Sequence, residues 1–168
     1  MSAERGAALY QLLARAAEGV ALGAESPAGP WSQDGFAAGD ALYSNRNERL
    51  RIRFSVDRLR YPSSQVLDPR VLRIAPSSTN ELHKHAHETV FVVLSGEGEL
   101  RVGACWSPLH RGHVAFVPRW ALHQTRNTSA TEELVVVAVT DFGLTGTLLG
   151  DYDRRSRGAG AASDDGEG

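Results

Sequence analysis

A chain of 168 residues with 42% apolar and 23% charged side chains has the make-up of a folded domain with its own core. Its 18 basic and 20 acidic residues leave a formal charge of −2, far from the cationic surface that a phosphate backbone requires, so nucleic acid is not an expected partner. The single cysteine, Cys105, cannot close an internal disulfide, no run of about 18 apolar residues offers a membrane span, and Glu4, Arg5, Arg15, Glu18 and Glu25 break up any signal-peptide core, so a cytoplasmic protein is expected.

From Ala3 to Leu22, Leu9, Leu13, Ala16, Ala17 and Val20 fall on one face at spacings of three and four, which predicts an amphipathic helix that docks on the body or on a second subunit. Residues 23–40 are rich in Gly, Pro and Ser without a period and read as a connecting segment anchored by Trp31 and Phe36. The first 44 residues thus form helix and connection, and a β-rich unit covers 45–150. Strands are expected at Arg49–Val56, Arg70–Ala75, Thr89–Leu94, Glu99–Val102, His113–Val117 and Leu134–Thr140, and so many short strands at regular spacing mean a sandwich or barrel. Arg46, Arg49, Arg51, Arg53, Arg58 and Arg60 run beside Leu50, Ile52, Phe54 and Val56, the pattern of a half-buried strand with a solvated face. Residues 151–168 have no apolar run after Tyr152 and are expected to be a disordered tail.

The chemistry concentrates in two stretches. "HKHAHETVFVVLSGEGE", residues 83–99, sets His83 and His85 at alternate strand positions, where two imidazoles project to one side and can grip one ion; His87 is a further candidate as ligand or supporting donor. "GHVAFVPRWALHQTRN", residues 112–127, brings His123 at the start of a return strand, completing a three-histidine face if the two hairpins meet. Arg73, in "RVLRIAP", would clamp a substrate carboxylate if it faced inward, and Gln124 would donate a hydrogen bond beside His123. His110 and His113 receive no role, Cys105 reads as a small filler, Asn127 as a turn residue and Trp120 as a rim filler.

These stretches resemble the two motifs of the cupin family, G-x5-H-x-H-x(3,4)-E-x6-G and G-x5-P-x-G-x2-H-x3-N. His83, His85, Gly96, Gly112, Pro118, His123 and Asn127 occupy motif positions at the required spacing. Ser77 stands where the first glycine would be, Trp120 replaces the glycine after Pro118, and Thr89 takes the place of the metal-binding glutamate. Thr89 is expected to face inward, and a one-residue slip after His85 would bring in Glu88 instead.

The resemblance implies an all-β, jelly-roll barrel with the site in its mouth, a homodimer, and a divalent metal on His83, His85 and His123. Iron(II) leads, with zinc, manganese, nickel or cobalt as alternatives, because imidazole suits several of these ions. Without the glutamate the site resembles those of the cupin thiol dioxygenases and the acetylacetone-cleaving enzyme. That implies a non-haem Fe(II) dioxygenase acting on a small anionic chelating substrate, an enolate, phenolate or thiolate. An oxygen-independent metal-dependent lyase, isomerase or hydrolase is the first alternative, and a non-catalytic small-ligand-binding cupin the second.

Overall fold

Alternating apolar residues and close-set turn residues leave little room for helix, and the computed structural model, which describes residues 40–59 and 66–149, bears this out. Nine strands follow in order: β1 Asp40–Asn47, β2 Ile52–Arg58, β3 Asp68–Ile74, β4 Thr89–Ser95, β5 Glu97–Val102, β6 Cys105–His110, β7 Val114–Val117, β8 His123–Asn127 and β9 Leu134–Thr140. A 3-10 turn at Glu48–Leu50 joins β1 to β2, and a helix, α1, spans Phe142–Leu149. The expected helix at 3–22, its connecting segment to 39, Arg60 and the tail from 151 lie outside the described residues.

The strands pair in two antiparallel sheets, one of six in the order β1-β2-β3-β9-β4-β7 and one of three in the order β6-β5-β8. Side chains of one pairing row face the same way, so the registers can be read as layers across the inner face of the larger sheet. One end carries Asp68, Thr140, Thr89 and Val117 in a row; the next row holds Arg58, Arg70, Ala138, Phe91 and Ala115. Further along come Val56, Leu72, Val136 and Val93, and then Phe54, Ile74 and Leu134. The last two rows are apolar throughout and buried, and they meet Leu100 and Leu109 of the smaller sheet in one core. The barrel is therefore greasy at one end and polar at the other.

Gly96 makes the corner between β4 and β5. It sits at φ +77°, and a Cβ there would lie 2.4 Å from the carbonyl oxygen of Glu133, so both backbone and space demand glycine.

Three expectations need correction. The β-unit begins at Asp40, ahead of the boundary expected at 45, because "DALYSNRN" is a strand despite its polar sequence, held by pairing with β2. The strand expected from Arg49 starts only at Ile52: the Asn47 side chain accepts from the Leu50 N–H at 3.1 Å, closing a turn that leaves Arg51 left-handed at φ 54°. From there the expected alternation holds, with Ile52, Phe54 and Val56 buried and Arg51 and Arg53 exposed. β6 was not expected either, since Pro108 interrupts it; it is an edge strand with only Leu109 buried, where a proline is tolerated.

Candidate metal centre

His83 and His85 lie on the extended segment entering β4, and His123 opens β8. The two segments are laced by backbone: the His83 N–H donates to the His123 carbonyl at 3.0 Å and the His123 N–H returns to the His83 carbonyl at 2.8 Å. A third bond runs from the Trp120 N–H to the His85 carbonyl at 2.7 Å. Trp120 makes it from a left-handed conformation, φ 59°, and Ser77 holds φ 54°. Both stand where the motif pattern has glycine, and both keep the glycine-type backbone at the steric cost an L-residue meets there.

The imidazole hydrogen bonds set the chemistry. His83 Nδ1 lies 2.8 Å from the Glu81 carbonyl oxygen, His85 Nδ1 2.9 Å from that of His87, and His123 Nδ1 2.9 Å from that of Ala121. A carbonyl only accepts, so each Nδ1 carries the hydrogen and each Nε2 is the nitrogen that carries the lone pair. One ligand atom from each ring lies within 4.8 Å of the others. Burial pushes His85 and His123 from 6.5 down to about 3; the neighbouring His123 adds to the effect on His85, and His83 to that on His123. Neutral rings, fixed tautomers and convergent lone pairs are what a divalent ion needs, so the donor set fits.

The cavity at the polar end is bounded, besides these histidines, by Tyr43, Arg70, Asn80, Thr89, Phe91 and Thr140, and has a volume of about 50 Å³. His87 also lines it, stacked on His85 at 3.5 Å between ring centroids and meeting Phe142 edge-on at 5.6 Å. Burial lowers His87 to about 2, with His85 adding to the effect. It lies outside the three-histidine cluster and supports it by the carbonyl that orients His85.

Thr89 faces inward, buried, its hydroxyl without a hydrogen-bond partner. Glu88 turns outward: its carboxylate lies 3.6 Å from Arg119 and its N–H donates to Asp141 at 2.8 Å. The in-register pairing of Thr89 with Val117 and Thr140 leaves no place for the one-residue slip.

Arg73 and Gln124 are not in the cavity. Strand alternation sends Arg70, Leu72 and Ile74 inward and Arg73 outward, where its nitrogens lie 3.8 Å from Asp57 and 3.6 Å from Glu133. By the same rule His123, Thr125 and Asn127 are buried while Gln124 donates to the Asn80 carbonyl at 3.0 Å. Arg70, Asn80 and Tyr43 were missed; counting back by twos from the apolar Ile74 and Leu72 would have found Arg70. Asn127 is the turn residue expected, donating to the Ile74 and Glu132 carbonyls and accepting from Ser129. Trp120 is 52% exposed rather than packed into the rim, and Cys105 is exposed rather than filling space.

The Cupin_2 model, "Cupin domain", matches residues 70–140. Among solved structures, a cupin-2 domain from Rhodospirillum rubrum superposes with a TM-score of 0.56 at 22% identity, covering 69% of this chain and 78% of that one. A cupin 2 conserved barrel domain protein from Rhodopseudomonas palustris gives 0.52 at 22% identity over 61% and 69%. A salicylate 1,2-dioxygenase from Pseudaminobacter salicylatoxidans gives 0.53 at 17% identity, covering 58% of this chain but only 28% of that enzyme. At these identities the likeness is one of fold. An uncharacterized protein of Aquifex aeolicus is 41% identical over 56 residues, which is 33% of this chain and 46%, less than half, of that protein. The barrel has the cupin fold and residues 70–140 match the Cupin domain model, with a three-histidine cluster able to hold a divalent metal in its cavity. No helix among the described residues is long and apolar enough to cross a membrane.

Proposed function

We propose that the protein is a metal-dependent cupin enzyme, a non-haem Fe(II) dioxygenase acting on a small anionic substrate that chelates the ion. The observation that carries this reading is the trio of Nε2 lone pairs on His83, His85 and His123 in a cavity with no lining carboxylate. A divalent ion held by the neutral rings of His83, His85 and His123 would supply a Lewis-acidic centre that favours an anionic substrate and, as iron, dioxygen chemistry. The chain's own contribution is positional. The Glu81, His87 and Ala121 carbonyls hold the rings in one tautomer, and Phe91 and Ala138 form dry walls beside them.

The test is elemental analysis of protein purified without added metal, then anaerobic reconstitution with Fe(II) and measurement of oxygen uptake with β-diketones, thiols and phenolic acids. One equivalent of iron with substrate-dependent uptake is expected. Stoichiometric zinc with no uptake for any substrate would overturn the dioxygenase reading in favour of a lyase or hydrolase, and no metal in any form would leave a ligand-binding barrel. The reading includes a homodimer, supported by the exposed Val114 and Phe116 on edge strand β7, and light scattering on the purified protein checks it.

A further inference from the structure

We infer that Arg70 is the anion anchor of the barrel and that the ligand it receives is a small aliphatic carboxylate. The inference deepens the proposed function and rests on it for the metal, but the anchor is built from residues outside the histidine cluster.

Arg70 comes inward from β3 in the row shared with Ala138 and Phe91, and is only 7% exposed. Its Nε and Nη2 donate to the same oxygen of Asp68, at 3.1 and 2.8 Å, which leaves Nη1 for a ligand. Asp68 is shared: Arg58 donates to its two oxygens at 2.9 and 3.3 Å. One carboxylate shared between two guanidinium groups leaves a net positive charge, divided between Arg58, whose side chain is 40% exposed, and the buried Arg70, where an incoming anion stabilises it. The Phe142 ring, 4.8 Å from Arg70 Cζ, fixes the guanidinium.

Arg70 lines the same cavity as His83, His85, His87 and His123, so its field reaches the histidine cluster. The cavity wall holds no Asp or Glu to compete with an anionic ligand. Thr89 adds an unpartnered hydroxyl, 2% exposed, as a neutral donor to a second ligand oxygen. Size then selects among acids. A volume of about 50 Å³, where one water needs roughly 10–15 Å³, is filled by a handful of heavy atoms, so a small aliphatic acid sits wholly inside whereas a substituted benzene ring would extend out through the mouth.

The experiment compares glycolate with glycolamide, which differ in charge and hardly in shape, by calorimetric titration of the metal-loaded protein and of the same protein stripped by a chelator. Glycolate is expected to bind about tenfold tighter than the amide in both forms, because a hydrogen bond to a charged partner is worth more than one to a neutral amide. In the stripped protein Arg70→Met is expected to abolish that preference, weakening glycolate far more than glycolamide, with metal content on reloading unchanged, and Thr89→Val to weaken glycolate several-fold. Equal affinity for acid and amide in wild-type protein overturns the anchor without recourse to a variant that might unfold, and salicylate binding as tightly as glycolate overturns the size limit. A preference retained in stripped protein and lost in Arg70→Met supports the anchor even where iron uptake fails, which separates this inference from the dioxygenase reading.

Discussion

The two ends of the barrel are built on the same strands, a few residues apart. On β3, Ile74 and Leu72 pack into the core while Arg70, two positions back on the same face, carries a buried charge; on β9, Leu134 and Val136 lead to Ala138 and Thr140. Burial is similar at both ends, but what it does differs. At the apolar end it removes hydrocarbon from water and stabilises the fold. At the polar end it holds imidazoles, hydroxyls and a guanidinium out of water with few partners, which costs stability and leaves groups ready to bind.

Acid should separate the ends most strongly. His85, His87 and His123 have folded values lowered from 6.5 to about 3, 2 and 3, so the unfolded chain takes up protons that the folded chain refuses. Stability of the metal-free protein is therefore full above pH 6.5 and is lost as pH falls toward 3, and urea midpoints across that window should decline steadily. A flat profile would mean that these rings are not buried neutral. Next in size, Leu134→Ala at the apolar end should cost about 3 kcal/mol in denaturant unfolding without changing metal stoichiometry.

His85→Ala should do the reverse, lowering metal affinity on the order of 100-fold by competition with a chromophoric chelator, while leaving the metal-free protein as stable as wild type or more so. Thr89→Glu adds the carboxylate that the motif pattern calls for, beside the neutral rings, and should tighten metal binding about tenfold. The smallest effect is expected from Trp120→Gly, which relieves a left-handed backbone at a half-exposed residue: a gain of about 0.5–1 kcal/mol by thermal unfolding, with metal affinity unchanged.

The sequence showed one of these ends more clearly than the other. The three histidines were legible because H-x-H and the later histidine sit at fixed distances from Gly96, Gly112 and Pro118, and Thr89 because its strand pairs without a slip. Arg70 was overlooked: in "DPRVLRIAP" two arginines three apart fall on opposite faces, and only the step of two that Arg70 shares with the apolar Leu72 and Ile74 marks it as the one that enters. β1 and β6 were invisible for a different reason. "DALYSNRN" and "CWSPLH" lack the apolar alternation of a strand because each lies at a sheet edge and buries little, so partners rather than propensity make them strands.

The reciprocal backbone bridge between His83 and His123 reaches beyond geometry. Two histidine-bearing segments 40 positions apart in the chain are held together by main-chain hydrogen bonds that no substitution short of proline removes. The side chains that the two segments present to the pocket can therefore be exchanged without rebuilding the scaffold that brings the segments together.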